Sequence, residues 1–74
     1  MKILLVNPNI TEAVTEMMAA EARRSASPGV KIEAVTAAFG TQYIETRVEA
    51  AIASHALLDV LAERAQGHDA AIIS

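Results

Sequence analysis

Hydrophobic and polar positions along this chain switch between two periods, and the switches mark out five elements. Ile3 to Val6 is an unbroken apolar run, the pattern of a strand covered on both faces inside a parallel sheet. Pro8 offers no ladder donor and pushes Asn7 toward extended geometry, so the strand is predicted to stop at Asn7-Pro8-Asn9 and the chain to turn. From there to about Ser25 the period lengthens. Val14, Met17, Met18 and Ala22 fall on one face and Glu12, Glu16 and Arg23 on the other, as in an amphipathic helix laid on a sheet. Either Asn9 or Thr11 can cap this helix, and Glu12 stands three residues after Asn9 in the capping-box spacing.

Ser27-Pro28-Gly29 is a turn signal, after which Val30 to Thr36 alternates Val30, Ile32 and Ala34 with Lys31 and Glu33, as expected of an edge strand. Ala37 to Gln42 contains Gly40 and is predicted as a loop, with Thr41 a candidate N-cap. Ile44 to Gln66 then holds neither Gly nor Pro and is predicted as one long helix. Glu45, Glu49, Asp59 and Glu63 share an arc of it, the pattern of a solvated face, while Val48, Leu57, Leu58 and Leu61 spread over a wide apolar remainder. An apolar arc that broad implies contact with more than one surface. Gly67 suits the position after the helix, His68-Asp69 forms a connection, and Ala70 to Ile73 is a third apolar run. The order β-α-β-α-β with short loops implies parallel strands joined by right-handed crossovers. The predicted fold is therefore α/β, a three-layer α/β/α arrangement with strand order 2-1-3. Residues 1–74 are expected to form the first part of a domain that continues past the third strand and leans on that remainder for stability.

Composition narrows the partners. Hydrophobic residues make up 53% and charged residues 20% of the 74, a high apolar share for so small a unit, which implies further packing partners. There is no cysteine, so these residues can build neither a disulfide nor a thiolate metal site. A net charge of −3 with scattered basic residues gives no footprint for nucleic acid, and no stretch approaches the ~20 apolar residues needed to cross a bilayer. The expected location is the cytoplasm.

In open α/β sheets ligands bind beyond the carboxyl ends of the strands. Asn7-Pro8-Asn9 leaves the first of these ends, where side-chain amides and the free N–H groups of a helix can cradle a carboxylate or enolate. A plainer alternative stands beside it, with Pro8 only breaking the strand and Asn9 only capping the helix. Tyr43 and Arg47 follow the second strand and can hold a carboxylate, or else serve an interface and a neighbouring acid. His55 reads as an interface residue within the apolar arc, and His68 as an exposed connection with no chemistry. No glycine-rich fingerprint for a dinucleotide or a triphosphate is present.

The opening Lys2-Ile3-Leu4-Leu5-Val6-Asn7-Pro8-Asn9 before a Thr-led helix, the stretch Phe39 to Ala56 with Tyr43-Ile44-Glu45-Thr46-Arg47, and Asp69 to Ser74 together resemble the aspartate/glutamate/hydantoin racemase family. The resemblance implies two similar α/β domains with the active site between them, and racemisation without pyridoxal phosphate or metal. It further implies a homo-oligomer and a small-molecule substrate: a 5-substituted hydantoin, allantoin or an amino acid. In this family one cysteine thiolate removes the proton from the stereocentre and a second thiol returns it from the opposite face. Neither cysteine is among these residues, and Asp69 to Ser74 resembles the strand that delivers the first of them just beyond its end. The residues carried over as substrate contacts are Asn7, Asn9, Tyr43 and Arg47. A maleate-isomerase-like or arylmalonate-decarboxylase-like enzyme of the same fold, and a non-catalytic flavodoxin-like binding module, are the alternatives.

Overall fold

A computed structural model describes residues 1–74. The elements run β1 (Lys2–Asn7), α1 (Glu12–Ser25), β2 (Lys31–Thr36), α2 (Arg47–Arg64) and β3 (Ala70–Ile73). Both strand pairings are parallel and the sheet order is β2-β1-β3, as the pattern of apolar runs predicts. Ile3 pairs with Ile32 on one side and with Ala70 on the other. The central strand is the apolar one because both its faces are covered. Leu4 and Val6 are fully buried with Val60 of α2, with Val35, Leu57 and Leu61 packed around them, whereas Leu5 turns the other way, toward Met17 and Met18 of α1. The two helices therefore sit on opposite faces, which gives the three layers.

Local chemistry explains most of the boundaries. Ser27-Pro28-Gly29-Val30 closes with Val30 N–H donating to the Ser27 carbonyl at 3.2 Å, and Gly29 has φ +88°. That combination of Pro then a left-handed Gly is a type II turn, which a residue with a Cβ would strain. At α2 the sequence reading needs correction. The helix begins at Arg47, not Ile44, and ends at Arg64, not Gln66. Its N-cap is Thr46, not Thr41: the Thr46 hydroxyl accepts from Glu49 N–H at 3.1 Å while the Glu49 carboxylate accepts from Thr46 N–H at 2.9 Å. This capping box outcompetes helical continuation backward, because it satisfies two otherwise orphaned donors. The N–H of Glu45 and the Thr46 hydroxyl and N–H hold the Glu49 carboxyl below its usual range.

At α1 the N-cap position is Thr11 rather than Asn9, and no side chain caps the helix. Its inner face is Thr15 and Ala19, with Val14, Met18 and Ala22 half-buried, while Met17 is 66% exposed. The apolar set read from periodicity was thus turned by about one residue, because small Thr15 and Ala19 permit a closer approach to the sheet than a methionine would. His68 also differs from expectation. Its side chain is 6% exposed, with Nε2 3.6 Å from the Glu33 carboxylate and neither ring nitrogen hydrogen-bonded.

Glu33 of β2 clamps the amino end of the sheet. It accepts from Arg64, the last residue of α2, at 2.6 Å and stands 4.0 Å from Lys2 Nζ of β1. The Arg64 hydrogen bond, then the charges of Arg64, His68 and Lys2, hold the Glu33 carboxyl below the usual 4.5 against the opposing effect of burial. Beside this clamp Lys2 N–H donates to Asp69 Oδ2 at 2.7 Å, and Asp69 N–H returns a bond to the Lys2 carbonyl at 2.7 Å.

A lowered folded-state pKa means ionised Glu33 favours folding above its unfolded value and loses that contribution as pH falls through the lowered one. Melting temperature followed downward from about pH 5 should therefore decline less steeply in Glu33→Gln than in the parent, with Glu49 keeping its own share of the slope. Identical slopes would show that the clamp adds nothing.

Candidate active site

In a sheet of order 2-1-3 the chain crosses to opposite faces on the two sides of β1, so a crevice opens at the carboxyl ends of β1 and β3. Three segments meet there: Asn7 to Thr11 after β1, Ala37 to Thr46 after β2, and Ile73-Ser74 at the end of β3. Pro8 and Ile73 line one wall with Ile44, Ala53 and Leu57 around an open depression of about 210 Å³.

Asn7 is the organising side chain of this end, and it is completely buried. Its Nδ2 donates both hydrogens, to the Thr11 carbonyl at 3.1 Å and to Thr15 Oγ1 at 2.9 Å. Its Oδ1 accepts from Asn9 N–H at 3.1 Å. Thr15 continues the chain of bonds to Thr36 Oγ1 at 2.7 Å, and Ala37 N–H donates to the Asn7 carbonyl at 3.0 Å. One amide thereby joins the end of β1, the first turn of α1 and the end of β2. Fully engaged in this way, it has no hydrogen left for a ligand.

Asn9 is differently placed. Its Oδ1 accepts from Thr11 N–H at 3.1 Å, which makes the short turn that leads into α1, while its Nδ2 carries no bond to the protein. The absence of a side-chain cap on α1 leaves the first-turn amides of Glu12 and Ala13 without backbone partners, so the positive end of the helix opens beside Asn9. The loop after β2 is zipped onto this turn. Ile10 N–H donates to the Thr41 carbonyl and the Thr11 hydroxyl to the Gln42 carbonyl, both at 2.9 Å. Tyr43 follows directly, 60% exposed. Arg47, the first residue of α2, is exposed. It stands across the helix from buried Ala56 and Val60, on the outward side.

The structure thus brings Asn7, Asn9 and the Tyr43 segment to one end of the sheet and leaves Arg47 pointing away from it. His55 is also outward, edge-on to Phe39 with ring centroids 5.2 Å apart. Sequence reasoning gave Thr11 and Thr41 only as candidate caps and passed over Thr15 and Thr36. Thr11, Thr15 and Thr36 carry the polar network, and the Thr41 hydroxyl is buried there with no partner. The available signal was the i, i+4 pair Thr11 and Thr15 at the start of an otherwise apolar helix face, where only a bonded hydroxyl can be buried without penalty.

Residues 3–74 match the sequence family described as Asp/Glu/Hydantoin racemase. No curated protein sequence matches significantly. Among solved structures, the allantoin racemase of Pseudomonas fluorescens is 39% identical with a TM-score of 0.95; the match covers 100% of this chain and 32% of that one. The allantoin racemase of Klebsiella pneumoniae is also 39% identical, with a TM-score of 0.90, over 99% of this chain and 30% of that one. The chain therefore spans about a third of the length of these structures.

Because the Asn7 amide is buried with both hydrogens and its oxygen bonded to the protein, Asn7→Ala should cost about 2–3 kcal/mol in chemical denaturation of the full-length protein, the penalty for orphaning buried groups. Asn9→Ala, which removes one solvent-accessible bond, should cost less than about 1 kcal/mol. Equal losses would overturn the assignment of Asn7 as the buried tie.

Proposed function

We propose, on the premise that this chain belongs to the Asp/Glu/hydantoin racemase family, that the full-length protein is a racemase acting on a small molecule with an acidic C–H at its stereocentre. The substrate class we favour is the hydantoin ring, with allantoin foremost. The observation that carries this choice is the 39% identity and close superposition with two proteins described as allantoin racemases. Racemisation without pyridoxal phosphate or metal needs two protonic groups on opposite faces of the stereocentre and donors for the enolate oxygen that develops between them. In this proposal both proton carriers are cysteines supplied by residues outside the 74, which contain none. These residues supply the enolate side of the site.

The roles follow from availability. Asn9 Nδ2 and the free amides of Glu12 and Ala13 are donors not spent on the protein, so they are proposed to face the oxygen whose charge grows as the proton leaves. Tyr43, exposed on the loop that is zipped to the same turn, is proposed to contact the substrate rim. Asn7 is a positioning residue that fixes the turn carrying those donors. Arg47 is left out because it faces outward. No helix is long and apolar enough to cross a membrane, and a cytoplasmic homo-oligomer completes the proposal.

The test is loss of optical activity from enantiopure allantoin, a 5-alkylhydantoin and aspartate, each run in D₂O with dialysed, chelator-treated full-length protein. Racemisation with deuterium entering the stereocentre is expected for the hydantoin-ring substrates. No exchange with any of the three would refute the reading. Asn9→Ala should lower kcat roughly a hundredfold, as loss of one oxyanion donor does, with KM moving less; an unchanged kcat would remove Asn9 from the site.

A further inference from the structure

The loop from Ala37 to Thr46 is tied down along its length. Phe39 stands edge-on to His55 of α2. Gly40, at φ +128°, lies against the same helix, where a Cβ would stand 3.6 Å from the Ile52 side chain. The Thr41 and Gln42 carbonyls are bonded to Ile10 and Thr11. At the far end one oxygen of the Glu49 carboxylate accepts from two successive amides, Thr46 N–H at 2.9 Å and Glu45 N–H at 3.0 Å. Between these ties Tyr43 and Ile44 make no hydrogen bond of their own, so they form a two-residue tip held from both sides.

The Glu45 bond goes beyond helix capping. A capping box needs only the N–H of the N-cap residue, and Thr46 supplies it. Glu45 lies one residue before the cap, so its N–H is not among the orphaned amides of the helix; the bond fixes loop backbone two residues after Tyr43. We propose that Glu49 is a positioning residue that holds the Tyr43 tip against the rim of the substrate site. This rests on the racemase reading, in which Tyr43 contacts that rim, and adds the residue that sets the contact. Glu49 is suited to the task because it stands on the first turn of α2, whose inner side, Ala53, Ala56 and Val60, is buried on the sheet. The tip is thereby referenced to the core. The tie is also complete within Glu45 to Glu49, whatever else packs around the loop. Without it the chain from Tyr43 to Thr46 would hang from Gln42 alone until the helix begins, and substrate binding would have to order it. That cost falls on KM rather than on kcat, since the proton carriers and the enolate donors lie on other segments.

The test is the kinetics of the full-length enzyme on enantiopure allantoin or a 5-alkylhydantoin, with exchange of the Glu45 amide followed by NMR in the same variants. Glu49→Ala should raise KM roughly five- to tenfold, the scale of one lost contact, with kcat within about twofold of the parent and the Glu45 amide exchanging faster. Glu49→Gln keeps an accepting oxygen in place and should restore both. Thr46→Ala removes the hydroxyl cap but leaves the loop tie, so it should lower the melting temperature without moving KM. That split separates anchoring from capping. On a Tyr43→Ala background Glu49→Ala should add nothing further to KM, because it acts through Tyr43. Should Glu49→Ala misfold, Glu49→Asp, which keeps the charge at the helix start and shortens the arm, must raise KM in the same direction. An unchanged KM in a folded Glu49→Ala or Glu49→Asp variant, losses that add in the double variant, or unaltered Glu45 exchange in Glu49→Ala overturns the proposal. If the parent racemises nothing while Glu45 exchange still quickens in Glu49→Ala, the racemase reading falls and the anchor stands.

Discussion

The amide of Asn7 is the constraint on which the carboxyl end of this sheet depends. A polar side chain at the end of the most buried strand costs several kcal/mol unless every lone pair and hydrogen finds a partner. Here both hydrogens and the oxygen do, and the partners come from three different elements: Thr11 and Thr15 of α1's first turn, Asn9 of the loop, and through Thr15 the hydroxyl of Thr36 at the end of β2. A leucine at this position would fill the space and leave the turn undetermined. The amide instead specifies one geometry for the backbone that follows, because any other orphans at least one buried group. Proline at position 8 makes this economical, since it lacks an N–H that would need a partner.

The two ends of the sheet are built on different physics. At the amino end the ties are ionic and half exposed, centred on Glu33 with Arg64, Lys2 and His68 around it. Such contacts hold without demanding a single geometry, and contribute modestly. At the carboxyl end they are neutral and mostly part-buried, with the Asn7–Thr15 bond fully buried, and the donors left over are backbone amides and one side-chain amide. Neutral fixed dipoles of this kind hold their orientation without the reorganisation that mobile charged side chains require.

How far the sequence disclosed this arrangement depends on what each signal measures. Periods of hydrophobicity report which side of an element is covered, so β1, β2, β3, their parallel order and the presence of both helices were legible. The start of α2 was not, because absence of Gly and Pro permits a helix without starting one; the Thr46 and Glu49 pair, three residues apart, does start it, and that spacing was open to view. The orientation of α1 was read one residue off, since Met17 weighs more on a hydrophobicity scale than Thr15, although a bonded threonine packs closer. The bonding partners of Asn7 and the burial of His68 were out of reach. Whether an asparagine donates to a ligand or to its own chain is decided by tertiary neighbours such as Thr15 and Thr36, which no local spacing brings together.

Donor availability then separates the asparagines that adjacency in sequence had joined. Asn7 and Asn9 lie two residues apart, and the bond from Asn9 N–H to Asn7 Oδ1 couples them, yet only one has an unspent donor. The same bond explains why both matter to the turn: the buried residue fixes the backbone of the accessible one. Because the following loop is in turn tied to Ile10 and Thr11 through the Thr41 and Gln42 carbonyls, Tyr43 inherits its place from the same interaction. Rigidity at this end therefore flows outward from one interior amide to groups that face solvent, and the placement of those groups is set by a residue that is itself buried.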